Sequence, residues 1–170
     1  MRRFLDTLYD GAAWLAALFM VALLVAVFLA IGGRELNFHV KGTDAYAGYF
    51  MAAAGFLALA HTLKRGEHIR VTLLLSALPA GARRAMELFS LAGATGLAGL
   101  LAYYSARLAW QSSVFKDIST GNDATPLWIP QLGMAVGTLI LMIAFIDEFV
   151  LEWRGQRRSA MADGEFTRNE

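Results

Sequence analysis

The 170-residue chain contains no cysteine. Disulfides, iron–sulfur clusters and thiolate metal sites are therefore excluded. Charge is also scarce: Asp, Glu, Lys and Arg make up only 17% of residues, against 57% hydrophobic, and the mean hydropathy is +0.48. A water-soluble domain of this size needs more charge to cover its surface. Histidine occurs three times, as His39, His61 and His68. A haem iron inside a helical bundle takes axial ligands from facing helices. His61 and His68, seven apart near the end of one apolar stretch, could not ligate one iron from opposite sides. The His/Asp/Glu spacings of a metal site are missing, as are a nucleophile elbow, a phosphate-cradling glycine loop and a catalytic carboxylate pair. No catalytic, cofactor-binding or metal-binding residue is expected, and the chain reads as a non-enzyme with no cofactor and no nucleic-acid partner.

What is present is four long uncharged runs, residues 11–33, 45–63, 88–106 and 124–146, of 23, 19, 19 and 23 residues. About 20 helical residues cross a bilayer core of ~30 Å. Helix is the form that pairs the backbone inside lipid. The expectation is an all-α integral membrane protein, a single membrane domain over 1–170, with spans near 11–33, 45–63, 88–106 and 127–146. The first run follows Arg2 and Arg3 as a signal peptide would. It is longer than a cleaved apolar core of ~7–15 residues and ends in no convincing cleavage site, so it reads as a retained span. Eleven Lys and Arg lie at the N-terminus (Arg2, Arg3), between the second and third runs (Lys64, Arg65, Arg70, Arg83, Arg84) and in the tail (Arg154, Arg157, Arg158, Arg168). Four lie in the other two connections (Arg34, Lys41, Arg107, Lys116). The positive-inside rule then puts both termini in the cytoplasm. The runs hold no Asp, Glu, Lys or Arg, which argues against an autonomous ion-coupled pump. Asp147 and Glu148, just past the fourth run, are expected to pair with bases such as Lys64 or Arg154.

The connections carry their own signals. Residues 64–87 begin with Lys64, Arg65 and Arg70 and continue through Val71, Leu73, Leu74, Leu75 and Leu78. This pattern predicts an amphipathic helix in the interface over about 67–78. The alternative is that 71–78 is the buried tail of the second span. Pro79 suits the first turn of a new helix, so the third helix should start near residue 80. Residues 107–123 read as a polar, turn-rich loop. Pro126 and Pro130 predict an extended stretch there, with the fourth helix entered near Gln131 and Trp128 as an interfacial anchor. Gly133 and Gly137 form a small-xxx-small pair in the fourth run. Gly93, Gly96 and Gly99 with Ala94, Ala98, Ala102 and Ala106 mark the third. Such faces bring helix backbones together, within a four-helix bundle or against a partner.

Two of these stretches carry a family likeness. Lys64-Arg65-Gly66-Glu67-His68-Ile69-Arg70-Val71 resembles a basic-Gly-x-His-Ile-x-Val signature. Asp117-Ile118-Ser119-Thr120-Gly121, followed by Pro126-Leu127-Trp128-Ile129-Pro130 and by Gly133 and Gly137, resembles a second. Together, over about residues 10–153, they resemble the small Q-type membrane subunit of tripartite ATP-independent periplasmic (TRAP) transporters. The tail 154–170 matches nothing. The resemblance implies a bacterial inner-membrane protein that scaffolds a large multi-helix subunit. It further implies a transient periplasmic substrate-binding protein, surrounding membrane lipid, and sodium-driven uptake of an organic acid, C4-dicarboxylate-like or a related carboxylate. Partner-contact candidates under it are Arg65, Gly66, His68, Ile69, Arg70, Val71, Asp117, Gly121, Pro126, Trp128, Pro130, Gly133 and Gly137. Arg65, His68 and Arg70 would orient the interfacial helix, and Asp117, Trp128 and Pro130 would shape the periplasmic rim. Three competitors share parts of this pattern: the small subunit of a tripartite tricarboxylate transporter, a cytochrome-like redox subunit, and an autonomous homo-oligomeric membrane transporter.

Overall fold

The computed structural model describes residues 2–38, 40–65 and 79–155. The expected interfacial helix over 67–78, and with it Gly66, His68, Ile69, Arg70 and Val71, lies outside the described residues, as does the tail from 156 onward. Four helices make up the described chain: α1 Arg2–Glu35, α2 Thr43–Lys64, α3 Ala80–Phe115 and α4 Trp128–Trp153. All four are long and apolar enough to cross a membrane. Each uncharged run lies largely or wholly inside one of them. α1 and α3, at 34 and 36 residues, would be roughly 50 Å long at a rise of 1.5 Å per residue. Both therefore extend well beyond a single bilayer core or cross it at a tilt.

Two boundaries differ from the sequence reading. Residues 107–115, read as loop, continue α3 as helix to Phe115, where Lys116 turns left-handed (φ 55°) and donates its N–H to the Ser112 carbonyl. Polarity alone does not stop a helix. Ala106, Leu108, Ala109 and Gln111 are all compatible with it, and the first strong turn signals come only after residue 116. α4 likewise starts at Trp128, not near Gln131. Pro130 is third in the helix, where its missing N–H would have had no intrahelical partner in any case. At the other end of α3 the structure follows the sequence: Pro79 (φ −60°, ψ 152°) precedes a helix that begins at Ala80.

The helices form an open row and not a closed bundle. α1 packs on α2, α2 on α4, and α4 on α3; α1 meets α4 only marginally. Among the described residues α3 touches neither α1 nor α2. Three faces hold the row together. The first joins Tyr9, Ala12 and Ala16 of α1 to Leu57, Ala60 and Leu63 of α2, with Ile140, Leu141 and Ala144 of α4 completing the cluster. The second is the glycine contact between α2 and α4. Built Cβ atoms at Gly133 and Gly137 would lie 2.8 Å from the Ala53 Cβ and 2.6 Å from the Phe56 carbonyl carbon. The third is a stripe on α3 of Leu91, Ala98, Ala102, Ser105, Ala109 and Ser112, all buried. Between apolar helices in lipid no hydrophobic force drives association, so close van der Waals approach through small residues does it instead. Nothing in the remaining apolar faces requires closure, because lipid tails accept them. Three hydroxyls within the helices are satisfied by their own helix: Thr95, Ser105 and Thr138 donate to the carbonyls of Leu91, Leu101 and Met134 at 2.7, 2.6 and 2.9 Å.

Candidate functional site

The row has two polar ends, and the sequence-marked residues divide between them. At the far end, opposite the termini, lie the α1–α2 turn and the segment 116–127. At the terminal end lie the start of α1, the end of α2, the start of α3 and the end of α4.

The far end is built around Asp123. The segment after α3 doubles back on itself through a single antiparallel bridge between Ile118 and Pro126. The Ser119 N–H donates to the Thr125 carbonyl (2.9 Å) and the Leu127 N–H to the Asp117 carbonyl (3.0 Å). Inside this loop the Ser119 hydroxyl donates to one Asp123 carboxylate oxygen at 2.8 Å and accepts the Gly121 N–H at 3.2 Å. The other oxygen accepts from the Tyr49 hydroxyl of α2 at 3.1 Å. The Thr125 and Tyr46 hydroxyls share a hydrogen bond at 3.2 Å. Tyr46 in turn packs edge-on against Tyr49 and stacks on Phe50. The α1–α2 turn closes the clasp from its other side. Gly42 precedes α2 at φ 81°, and a Cβ there would fall 2.7 Å from the Asp123 Cβ. Hydrogen bonding from Thr125 above all, then from Ser119, its own backbone N–H and Tyr49, holds the Asp123 carboxyl down from 3.8 to about 2 against an opposing cost of desolvation. One carboxylate thus fastens the α3–α4 loop to α2.

Of the residues marked in advance here, Gly121 and Pro126 belong to this clasp. Asp117 contributes its backbone, and its side chain is exposed with no partner among the described residues. Trp128, 39% exposed, and Pro130 form the first turn of α4 just below it. Asp123, Tyr46, Tyr49, Ser119, Thr125 and Gly42 were not singled out as a site. The available signal was a lone carboxylate within a run of hydroxyl and glycine residues, Ser119 to Thr125. Its tyrosine partners lie more than 70 positions away, which no local pattern reveals. Gly133 and Gly137 pack α4 onto α2 within the chain.

At the terminal end, Lys64 of α2 reaches Asp6 of α1 at 2.9 Å and Asp10 at 3.9 Å, and lies over the Tyr9 ring. His61 Nδ1 is 3.4 Å from Asp10. Lys64 therefore serves α1, not Asp147 and Glu148 of α4 as the sequence suggested. α1 is its packing neighbour on that face of α2. Arg84 of α3 donates to the last carbonyl of α4, that of Trp153, at 2.9 Å, and Arg83 pairs with Glu87 at 3.1 Å. Arg65, the one described residue of the first signature's candidates, caps α2 through its N–H on the His61 carbonyl, and its side chain is exposed. Among the described residues no group of three or more His, Asp or Glu could hold a metal ion.

Four membrane-length helices in an open row, pinned by polar contacts at both ends, define a multi-pass α-helical membrane protein. The family model for tripartite ATP-independent periplasmic transporters, DctQ component, matches residues 23–155. The chain belongs to that family and is the small membrane component of a TRAP transporter. No curated protein matches it.

Proposed function

We propose that this chain is a non-catalytic scaffold for the large multi-helix subunit of a sodium-driven, binding-protein-dependent TRAP system that takes up an organic acid, C4-dicarboxylate-like or a related carboxylate. The observation that carries the reading is the family match across 23–155, which spans the C-terminal part of α1 and all of α2, α3 and α4. Helices without intramembrane charge fit a passive partner: the four uncharged runs offer no acid or base to bind a coupling ion. The open row supports it as well, since α1 and α3 leave broad apolar faces that lipid or another subunit must cover. Under this reading both termini face the cytoplasm, on the strength of eleven Lys and Arg at the terminal end against four at the other. The Asp123 clasp, with Asp117, Trp128 and Pro130 beside it, then faces the periplasm where a loaded binding protein would approach. Arg65 and the segment following it face the cytoplasm.

The test is purification of the tagged chain from native membranes in mild detergent, with mass spectrometry of what remains bound. The expected result is a stoichiometric many-helix membrane protein. Reconstituted with it and its binding protein, the pair should accumulate an organic acid only under an inward sodium gradient. Recovery of the chain alone as a self-oligomer would sink the proposal.

A further inference from the structure

The end of α1, the start of α2 and the turn between them enclose a pocket of about 310 Å³. Its deeper residues, Leu29 and Ala30, are apolar, and its outer ones, Arg34, Asn37, Thr43 and Asp44, are polar or charged. The grading follows the sequence. Arg34 is the first charge after a run of 23 uncharged residues, so the pocket straddles the level where hydrocarbon gives way to headgroups. The turn is fixed by the Leu36 and Phe38 N–H groups, which donate to the Gly32 and Gly33 carbonyls at 2.9 and 3.0 Å, with Asn37 left-handed between them (φ 59°). Among the described residues α1 ends the row, α3 reaches neither α1 nor α2, and the pocket is lined by α1, α2 and their turn alone. A crevice at this depth on the outer helix of a membrane protein meets lipid, and its lining decides which lipid.

Arg34 and Asp44 face each other across the rim at 3.4 Å, with side chains 75% and 79% exposed. So long and exposed a pair contributes little on its own. One guanidinium nitrogen is spent on one carboxylate oxygen, so both groups keep bonding capacity for a third. A phosphate would meet the remaining N–H donors, and a primary ammonium the remaining carboxylate lone pairs. Phosphoethanolamine carries both, joined by an ethylene link. A phosphoglycerol headgroup brings a phosphate with no cation, and so sets a negative charge beside Asp44. A phosphocholine headgroup brings a cation with no N–H to donate.

We propose that this pocket seats the headgroup of a phosphatidylethanolamine, its phosphate on Arg34 and its ammonium on Asp44, with the first acyl carbons against Leu29 and Ala30. The inference requires only that the chain lies in a membrane and does not rest on the TRAP reading.

The test reconstitutes the full chain in nanodiscs of equal parts phosphatidylethanolamine, phosphatidylglycerol and phosphatidylcholine. The protein is then released in mild detergent, and the lipid it retains is identified by native mass spectrometry. The wild type should retain phosphatidylethanolamine about threefold over either competitor, the scale of one exposed ion pair. Asp44→Asn should abolish the preference over phosphatidylglycerol, and Arg34→Gln should lower the retained phosphatidylethanolamine. Arg107→Gln removes an exposed charge from the same end of α3 and should change neither. Excess soluble glycerophosphoethanolamine should leave the bound lipid in place, because it lacks the acyl carbons that meet Leu29 and Ala30. All three variants should melt as the wild type does, since each side chain is exposed, so a lost preference reports the pocket and not unfolding. Lipid retained in the bulk ratio, or an Asp44→Asn chain with the wild-type preference, overturns the inference. So does an Arg107→Gln effect as large as that of Arg34→Gln, or displacement of the lipid by the soluble headgroup.

Discussion

The contact between α2 and α4 gives a prediction with an internal control. A Cβ added at Gly137 would lie 2.6 Å from the Phe56 carbonyl carbon, 2.7 Å from its oxygen and 2.8 Å from its Cβ. Ordinary contact begins near 3.4 Å, so the helices must separate by about 0.8 Å or the chain must bend. Two of the three clashing atoms are backbone, and truncating the Phe56 side chain cannot remove them. Overpacking of this kind costs about 1–3 kcal/mol. At 2 kcal/mol the folding equilibrium constant falls roughly thirtyfold, since 1.4 kcal/mol is tenfold. Gly133→Ala differs in kind. Its new Cβ would meet the Ala53 Cβ at 2.8 Å and the Ala53 Cα at 3.2 Å, so deleting the first of these atoms by Ala53→Gly relieves most of the clash. Gly93→Ala on α3, where a Cβ meets nothing within 4 Å, should leave stability unchanged or raise it slightly by helix propensity.

The assay is reversible unfolding in bicelles, read by tryptophan fluorescence, on the single and paired variants. Gly137→Ala should be destabilised and stay so in combination with Phe56→Ala. Gly133→Ala should be destabilised and largely recover with Ala53→Gly. If Gly137→Ala unfolds within ~0.5 kcal/mol of wild type, the close α2–α4 approach is not how this row is held together.

Three other outcomes follow from the polar ends. Gly42→Ala should destabilise the chain, because it imposes both a left-handed φ of 81° on a Cβ-bearing residue and a 2.7 Å clash with Asp123; its thermal midpoint should drop, whereas that of Gly11→Ala should not. The folded Asp123 carboxyl titrates at about 2, below its ordinary 3.8. Its contribution to the clasp is therefore complete above about pH 4 and is lost as pH falls toward 2. Tyrosine fluorescence from Tyr46 and Tyr49 should thus be flat from pH 5 to 8 and change only in acid, and Asp123→Asn should abolish that acid step. Lys64→Ala should cost under ~1 kcal/mol, because its partners Asp6 and Asp10 are half exposed and solvent screens the pairs; a larger loss in the bicelle assay would mean that Lys64 holds more than these two carboxylates.

The number and order of the helices were legible because each had to be apolar along its whole length, a constraint that leaves 19 to 23 consecutive uncharged residues in the sequence. Pro79 marked the start of α3 for a local reason, its fixed φ and absent N–H. The end of α3 was misjudged because a helix emerging from a membrane can continue through polar residues, and only the left-handed turn at Lys116 stops it. The site was half legible. Gly121 and Pro126 stand out as turn residues within a local pattern. The role of Asp123 depends on Tyr49 and Gly42, brought to it by tertiary packing, and its importance is invisible until α2 is placed beside the loop. Gly133 and Gly137 announced close packing in the sequence but not its partner, since Ala53 and Phe56 carry no matching signature.

The row itself was the least legible feature, and it bears most on function. Four apolar helices in sequence are compatible with a closed bundle or an open layer, because lipid satisfies an apolar face as well as a neighbouring helix does. The structure takes the open form: among the described residues α1 and α3 share no contact, and only 11% and 17% of their apolar cores are buried in the chain. A translocation path has to be walled on all sides from lipid, since substrate charge in hydrocarbon is costly. A row that shields α1 and α3 so little lacks the walls for such a path, and its uncharged runs supply no ionisable group to line one. What it has instead is long, flat, apolar flanks with fixed ends, the Asp123 clasp at one and the Lys64–Asp6 and Arg84–Trp153 contacts at the other. Those contacts hold the helices in register while their faces stay open. Under the scaffold reading proposed above, such an arrangement would offer its flanks to a second membrane protein, and activity in this system should appear only when that protein is present.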